Sequence, residues 1–320
     1  MKTFKRTLIW IAILPLVFVI SCKDNDPAPA DDNYSKMTEY MVANDLDLDN
    51  ILDAWIVGAP ASEADVATFA GAYHIMDIRS ADAFNTGHID GAVNSSLATI
   101  VADAAGVTKP ILVVCYTGQT AAHATVALRL SGHADAKVLK NGMSGWRADL
   151  ATPWESGVGN VAVGNANWVK TATAELTDHS SPEFTTTSTD PAEMLVERVA
   201  YMTNKGFQGI TATDVLADPS AYFINNYWAQ ADVDLYGHIA TAARINPLTL
   251  ANDEFRYYDP AQTVVTYCWT GQTSSMVTAY LTVLGYEAKS LKFGVNSMIY
   301  DELQSHKFAQ PTVDLPVVTD

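Results

Sequence analysis

Cys115-Tyr116-Thr117-Gly118-Gln119-Thr120 and Cys268-Trp269-Thr270-Gly271-Gln272-Thr273 are two copies of one six-residue frame, about 150 positions apart. An apolar run precedes each: Ile111 to Val114 in the first case, Thr263 to Tyr267 in the second. A helix-favouring stretch follows each. Ala121 to Leu130 is alanine-rich and closed by Gly132, and Ser274 to Leu284 stops at Gly285. Lys137 to Leu139 and Ala288 to Leu291 then read as further short strands, and Tyr73 to Ile78 as an earlier one. Strand, loop, helix, strand implies a parallel sheet with helices on its faces, an α/β class. Sites in such sheets lie beyond the carboxyl ends of the strands, where both cysteines fall.

Two more blocks repeat in the same order. Gly87-His88-Ile89 matches Gly237-His238-Ile239, and Ala136 to Gly142 matches Ala288 to Gly294. The chain therefore reads as a duplication, with domains over 34–155 and 191–310, a Gly- and Ser/Thr-rich linker over 156–190 and a tail over 311–320. Amphipathic helices over Tyr34 to Asn44 and Pro191 to Asn204 open the two copies.

Composition narrows the function classes. Of 320 residues, 48% are hydrophobic and 17% charged, as expected of a globular chain. The formal net charge of -17, from 36 acidic and 19 basic side chains, repels a phosphate backbone and argues against a nucleic-acid partner. Lys2, Lys5 and Arg6 precede the uncharged run Leu8 to Ile20, which is short for a membrane span and suits a signal peptide over 1–21. Val19-Ile20-Ser21-Cys22 resembles the bacterial lipobox. The resemblance implies lipid attachment at Cys22, a polar Pro/Ala-rich tether over 22–33, and a place in the cell envelope, on its periplasmic face or at the cell surface.

With Cys22 so assigned, Cys115 and Cys268 remain, as one disulfide or two thiols. A disulfide would need two equivalent sites face to face; the repeat favours a thiol in each copy. A thiol reacts as the thiolate, and an ordinary cysteine is mostly protonated at neutral pH. Between a strand end and a helix N-terminus, converging backbone N–H groups and the helix dipole are expected to lower that barrier. Gly118 and Gly271 allow the tight curl. Thr120 and Thr273 are expected at the helix cap with hydroxyls to offer.

The frame Cys-x-x-Gly-x-Thr after an apolar strand resembles the active-site loop of the rhodanese superfamily. Asp77-Ile78-Arg79, Gly87 to Asn94, and Lys140 to Trp146 resemble its other blocks. The likeness runs from about Tyr34 to Trp154 and again from about Pro191 to Leu303, giving two tandem rhodanese-like domains. It implies a sulfurtransferase in which Cys115 or Cys268 takes a sulfane sulfur from a small donor such as thiosulfate or 3-mercaptopyruvate. The loops Tyr116 to Thr120 and Trp269 to Thr273 cradle the persulfide, and cyanide or a thiol accepts the sulfur, with no metal or organic cofactor. Asp77 and Arg79, with His88 and His238, read as supporting structure.

The second copy departs from the pattern: Asn226 and Trp228 stand opposite Asp77 and Arg79, and Met298 opposite Trp146. Neither loop carries an arginine or lysine, which disfavours a dianionic donor. A phosphatase on the same fold needs a longer loop ending in arginine. A sulfur carrier without turnover, or a redox sensor, are the alternatives to an enzyme.

Overall fold

Short apolar runs become parallel strands wherever two helices can cover both faces of the sheet. The computed structural model describes residues 32–319. Its first sheet contains β1 (Ile56–Val57), β2 (His74–Asp77), β3 (Val93–Asn94), β4 (Ile111–Val114) and β5 (Lys137–Leu139), all parallel, in the order β1-β5-β4-β2-β3. Farther along the chain come β6 (Trp168–Val169), β7 (Gly209–Ile210), β8 (Phe223–Asn226), β9 (His238–Ile239), β10 (Val264–Tyr267) and β11 (Ala288–Leu291). The second sheet, β7-β11-β10-β8, is also wholly parallel and repeats the order β1-β5-β4-β2 of the first, without a fifth strand in the place of the edge strand β3.

The strands alternate between two cores. Ile111 and Val113 face a central core that both halves share, whereas Leu112 and Val114 face an outer one. Val264 and Val265 split in the same way in the second half. The central core is built around the helices Gln119–Leu130 and Gln272–Leu284, buried along almost their whole length. Ala121, Ala122 and Ala124 on one, with Ser274, Ser275 and Thr278 on the other, are small, which lets two helices with no solvent face lie close together. The helices Asn33–Ala43 and Pro191–Lys205 add Met37, Met41, Met194 and Met202 to the same core.

Both central helices start two residues before the position their alanine- and serine-rich runs suggest. Gly118 and Gly271 take left-handed conformations (φ 80° and 77°) and occupy the cap positions themselves. Thr120 and Thr273 therefore sit inside the first turn, not at the cap.

The segments after the two sheets cross over. Beyond the first sheet, β6 pairs antiparallel with β9 of the second half, and the Ala162 N–H donates to Met298 O at 2.9 Å. Beyond the second, Val318 bridges antiparallel to His88, and the Leu315 N–H donates to Trp146 O at 3.1 Å. Leu315 is buried in the outer core of the first half. Each half thus receives an arm from the end of the other. Leu8 to Ile20 and Cys22 lie outside the described residues; among the described residues no helix is long and apolar enough to cross a membrane.

Candidate functional site

Cys115 follows the last residue of β4 and is 6% exposed. The chain then curls so that the N–H groups of Gly118 and Ala121 point at its Sγ, at 3.2 and 3.4 Å. The outward-facing carbonyls of the curl are held by the block that follows β5. The Met143 N–H donates to Cys115 O at 2.8 Å and the Ser144 N–H to Tyr116 O at 2.9 Å. The indole N–H of Trp154 donates to Thr117 O at 3.0 Å. Gly142 makes this approach possible. At φ 60°, a Cβ there would lie 2.2 Å from Cys115 O. Gly142 and its counterpart Gly294 were visible as repeated letters, but only the contact reveals their purpose.

Burial pushes the Cys115 thiol up from its ordinary pKa. It outweighs the opposing amides of Ala121, Thr117 and Gly118, and the nearby Asp77 charge adds to the rise. The donor ring expected around the sulfur is present; the net lowering expected from it is not, because desolvation of the thiolate is the larger effect.

Asp77 and Arg79 form a buried pair, Nη2 to Oδ2 at 2.6 Å. Arg79 also donates to Gly87 O at 2.7 Å, and its guanidinium lies 5.2 Å from the centre of the Tyr116 ring. Asn94 Nδ2 donates to the carbonyls of both Asp77 and Arg79. The pair therefore ties the end of β2 to the Gly87–Asn94 stretch, and the guanidinium is engaged rather than free. His88 is buried, stacked on Phe84 at 3.7 Å with Nδ1 2.9 Å from Phe84 O. His238 bridges Ile239 O and Thr171 O, each at 2.8 Å. Both histidines hold loops and crossing arms.

Cys268 repeats the helix-start amide and the grip on the cysteine carbonyl. The Ser274 N–H donates to its Sγ at 3.3 Å, and Ser274 Oγ lies 3.6 Å away. The Val295 N–H donates to Cys268 O at 3.0 Å, and Asn296 Nδ2 to Trp269 O at 2.7 Å. A Cβ on Gly294 would lie 2.2 Å from Cys268 O. The side chains at the mouth differ. Trp269 stacks between Trp228 at 4.8 Å and His306 at 4.5 Å, where the first copy has Tyr116 beside an ion pair. Asn226, opposite Asp77, is fully buried. Both cysteines are free thiols, so no disulfide joins them.

A model of the Rhodanese-like domain matches residues 61–149, a span that contains Asp77, Arg79, His88 and the Cys115 loop. The thiosulfate sulfurtransferase GlpE of Shewanella oneidensis is 39% identical over 82 residues, 25% of this chain and 80% of the relative. The chain belongs to the rhodanese-like family. A thiosulfate sulfurtransferase GlpE of Pseudomonas putida is 37% identical over 89 residues, covering 27% of this chain and 78% of the relative. Among solved structures, a thiosulfate sulfurtransferase from Pseudomonas aeruginosa is 16% identical with a TM-score of 0.30, over 88% of this chain and 48% of its own. The 3-mercaptopyruvate sulfurtransferase from Leishmania major is 12% identical with a TM-score of 0.26, over 74% of this chain and 71% of its own. Family membership thus rests on the first half. There the rhodanese-like span places a cysteine at the carboxyl end of a parallel strand with amides aimed at its sulfur.

Proposed function

We propose that this protein is a sulfurtransferase of the rhodanese type in which Cys115 carries the sulfane sulfur. The observation that supports this most is the convergence of the Gly118 and Ala121 N–H groups on the Cys115 sulfur. Such a nest receives an anionic sulfur without any side-chain cation. The Cys115 thiolate attacks the outer sulfur of a donor, for example thiosulfate, so that a cysteine S–S bond forms and sulfite leaves with the electron pair of the broken bond. An acceptor thiolate then takes the outer sulfur as its own persulfide and Cys115 is released as thiolate; with cyanide the product is thiocyanate. The cycle uses no metal or organic cofactor.

The loop has no lysine or arginine, Arg79 is already paired, and the chain carries a net charge of -17. These features favour a donor and an acceptor of low charge, such as organic persulfides and thiols, over the thiosulfate dianion. The second half is proposed as a second rhodanese-like domain of the same tandem. The residue after its thiol, Trp269, is fixed by stacking on Trp228 and His306, and the loss of the Asp-x-Arg pair there favours a carrier or supporting role over turnover. Export and lipid attachment at Cys22 are part of the proposal and place the activity in the cell envelope, with the membrane reached through the lipid.

The test is turnover with thiosulfate, 3-mercaptopyruvate and an organic persulfide as donors, cyanide or a thiol accepting. Replacing both Cys115 and Cys268 by Ser should abolish sulfur transfer; unchanged turnover in that double variant ends the reading. The mass of the N-terminal peptide from cells would reveal cleavage before Cys22 and lipid on it, or an intact leader.

A further inference from the structure

We infer that each thiol loop is held in shape by a glutamine from the opposite half of the chain: Gln272 supports the Cys115 loop, and Gln119 supports the Cys268 loop. This rests on reading both cysteines as reactive thiols, but concerns what positions them rather than what they transfer.

The exchange is reciprocal. Gln272 Oε1 accepts from the Asn141 N–H at 2.9 Å, and Gln119 Oε1 accepts from the Phe293 N–H at 2.8 Å. Both glutamines are buried, at 1% and 3% exposure. Each is oriented from its own loop, with Nε2 donating to Thr270 Oγ1 and Thr117 Oγ1 respectively, both at 3.1 Å. Gln272 Nε2 also reaches Asn141 Oδ1 at 3.2 Å. The accepting oxygen thus lands on the block that grips the other loop. Asn141 precedes Gly142 and Met143, which meet the Cys115 carbonyl; Phe293 precedes Gly294 and Val295, which meet that of Cys268.

A second contact makes the fit specific. A Cβ on Gly118 would lie 2.3 Å from Gln272 Oε1, and one on Gly271 would lie 2.5 Å from Gln119 Oε1. The glycines of the two loops therefore serve two needs at once. They permit the left-handed turn, and they leave the space that the opposite glutamine fills. An oxygen buried there without the Asn141 or Phe293 donor would stay unsatisfied, so the interaction is costly to break from either side. Gln272 and Gln119 are positioning residues, acting on a sulfur they do not touch.

The experiment is the pH profile of alkylation of each thiol in the full chain, read peptide by peptide by mass spectrometry. Loss of the carbonyl in Gln272→Ala slackens the 140–146 block and weakens the aim of the Gly118 and Ala121 amides. The Cys115 midpoint should then rise by about half to one pH unit. Gln272→Glu keeps the size and an acceptor but adds charge beside Gly118, and should raise it further. Asp77 and Arg79 face the same loop and are unchanged in both variants. Gln119→Ala should move the Cys268 midpoint. Crosswise midpoints that stay at the wild-type value in folded variants overturn the inference. So does free exchange of the Asn141 amide hydrogen in the unaltered protein, a readout that needs no variant. Alkylation does not depend on sulfur transfer, so this result stands apart from the proposed activity.

Discussion

The mouths of the two loops differ far more than the loops themselves. At Cys115 a half-open Tyr116 lies against Arg79, which is locked to Asp77. At Cys268 the equivalent ring, Trp269, is sandwiched between Trp228 and His306, and Asn226 and Trp228 stand in place of the ion pair. Yet in both, amides at the start of a helix meet sulfur, and a glycine of the following block presses against the cysteine carbonyl. The sulfur nest is therefore a main-chain device that survives replacement of the side chains around it. The side chains beside the nest are where the two halves have diverged, while both sulfurs remain buried.

The largest effect that could break this comparison comes from the pressed glycines. Gly142→Ala and Gly294→Ala each force a Cβ to 2.2 Å from a carbonyl at positive φ. Each should cost about 2–4 kcal/mol in denaturant unfolding. Sulfur loading should suffer mainly in Gly142→Ala if the first mouth is the working one. Equal loss in both variants would mean that the halves do not differ in use.

Acid stability is the next place where the two central helices differ. His123 is fully buried on the central helix, and burial holds its pKa down at about 4 despite the backbone of Ser275 and Met202 nearby; neither ring nitrogen makes a well-formed hydrogen bond. When the loops are aligned, the second half has Met276 at this place. The folded ring stays neutral while the unfolded one protonates near 6.5. Stability should therefore fall as pH drops from about 6.5 toward about 4, by up to about 3 kcal/mol. His123→Met should flatten that limb of the curve, as followed by unfolding midpoints at several pH values. A limb unchanged in that variant would assign the acid sensitivity elsewhere.

The smallest effect sharpens the contrast between the mouths. Tyr116→Lys places a cation at the exposed mouth and should lower the KM for thiosulfate a few-fold at low salt, an effect that salt erases. Trp269→Lys should not, if the second thiol does not turn over.

Much of this was legible in the residues. Strand β4 ends where its apolar run ends, because a strand buried on both faces leaves a run with sharp borders; β5 and β11 also keep their expected bounds, marked by their place in the repeat rather than by apolar runs. The thiols, their glycines and the Asp77–Arg79 pair followed from one repeated frame and its neighbours. The helices begin two residues before their alanine- and serine-rich runs, since a left-handed glycine caps them and Thr120, the commoner cap type, lies inside the first turn. The upward shift of the Cys115 thiol is not legible in the motif, since a motif shows the amides and not the depth of burial that outweighs them. The crossing arms and the exchanged glutamines join residues far apart in sequence, about 70 in the β6–β9 pairing and more than 130 in the glutamine contacts, and leave no periodic pattern.

The central claim is that Cys115 carries the sulfur. The direct measurement is peptide-level mass spectrometry of the full chain after incubation with a sulfane donor, with and without cyanide. A sulfur adduct of +32 Da is expected on the Cys115 peptide, removed by cyanide, with Cys268 loaded less. Loading confined to Cys268, or no cyanide-labile sulfur on either thiol, would contradict it.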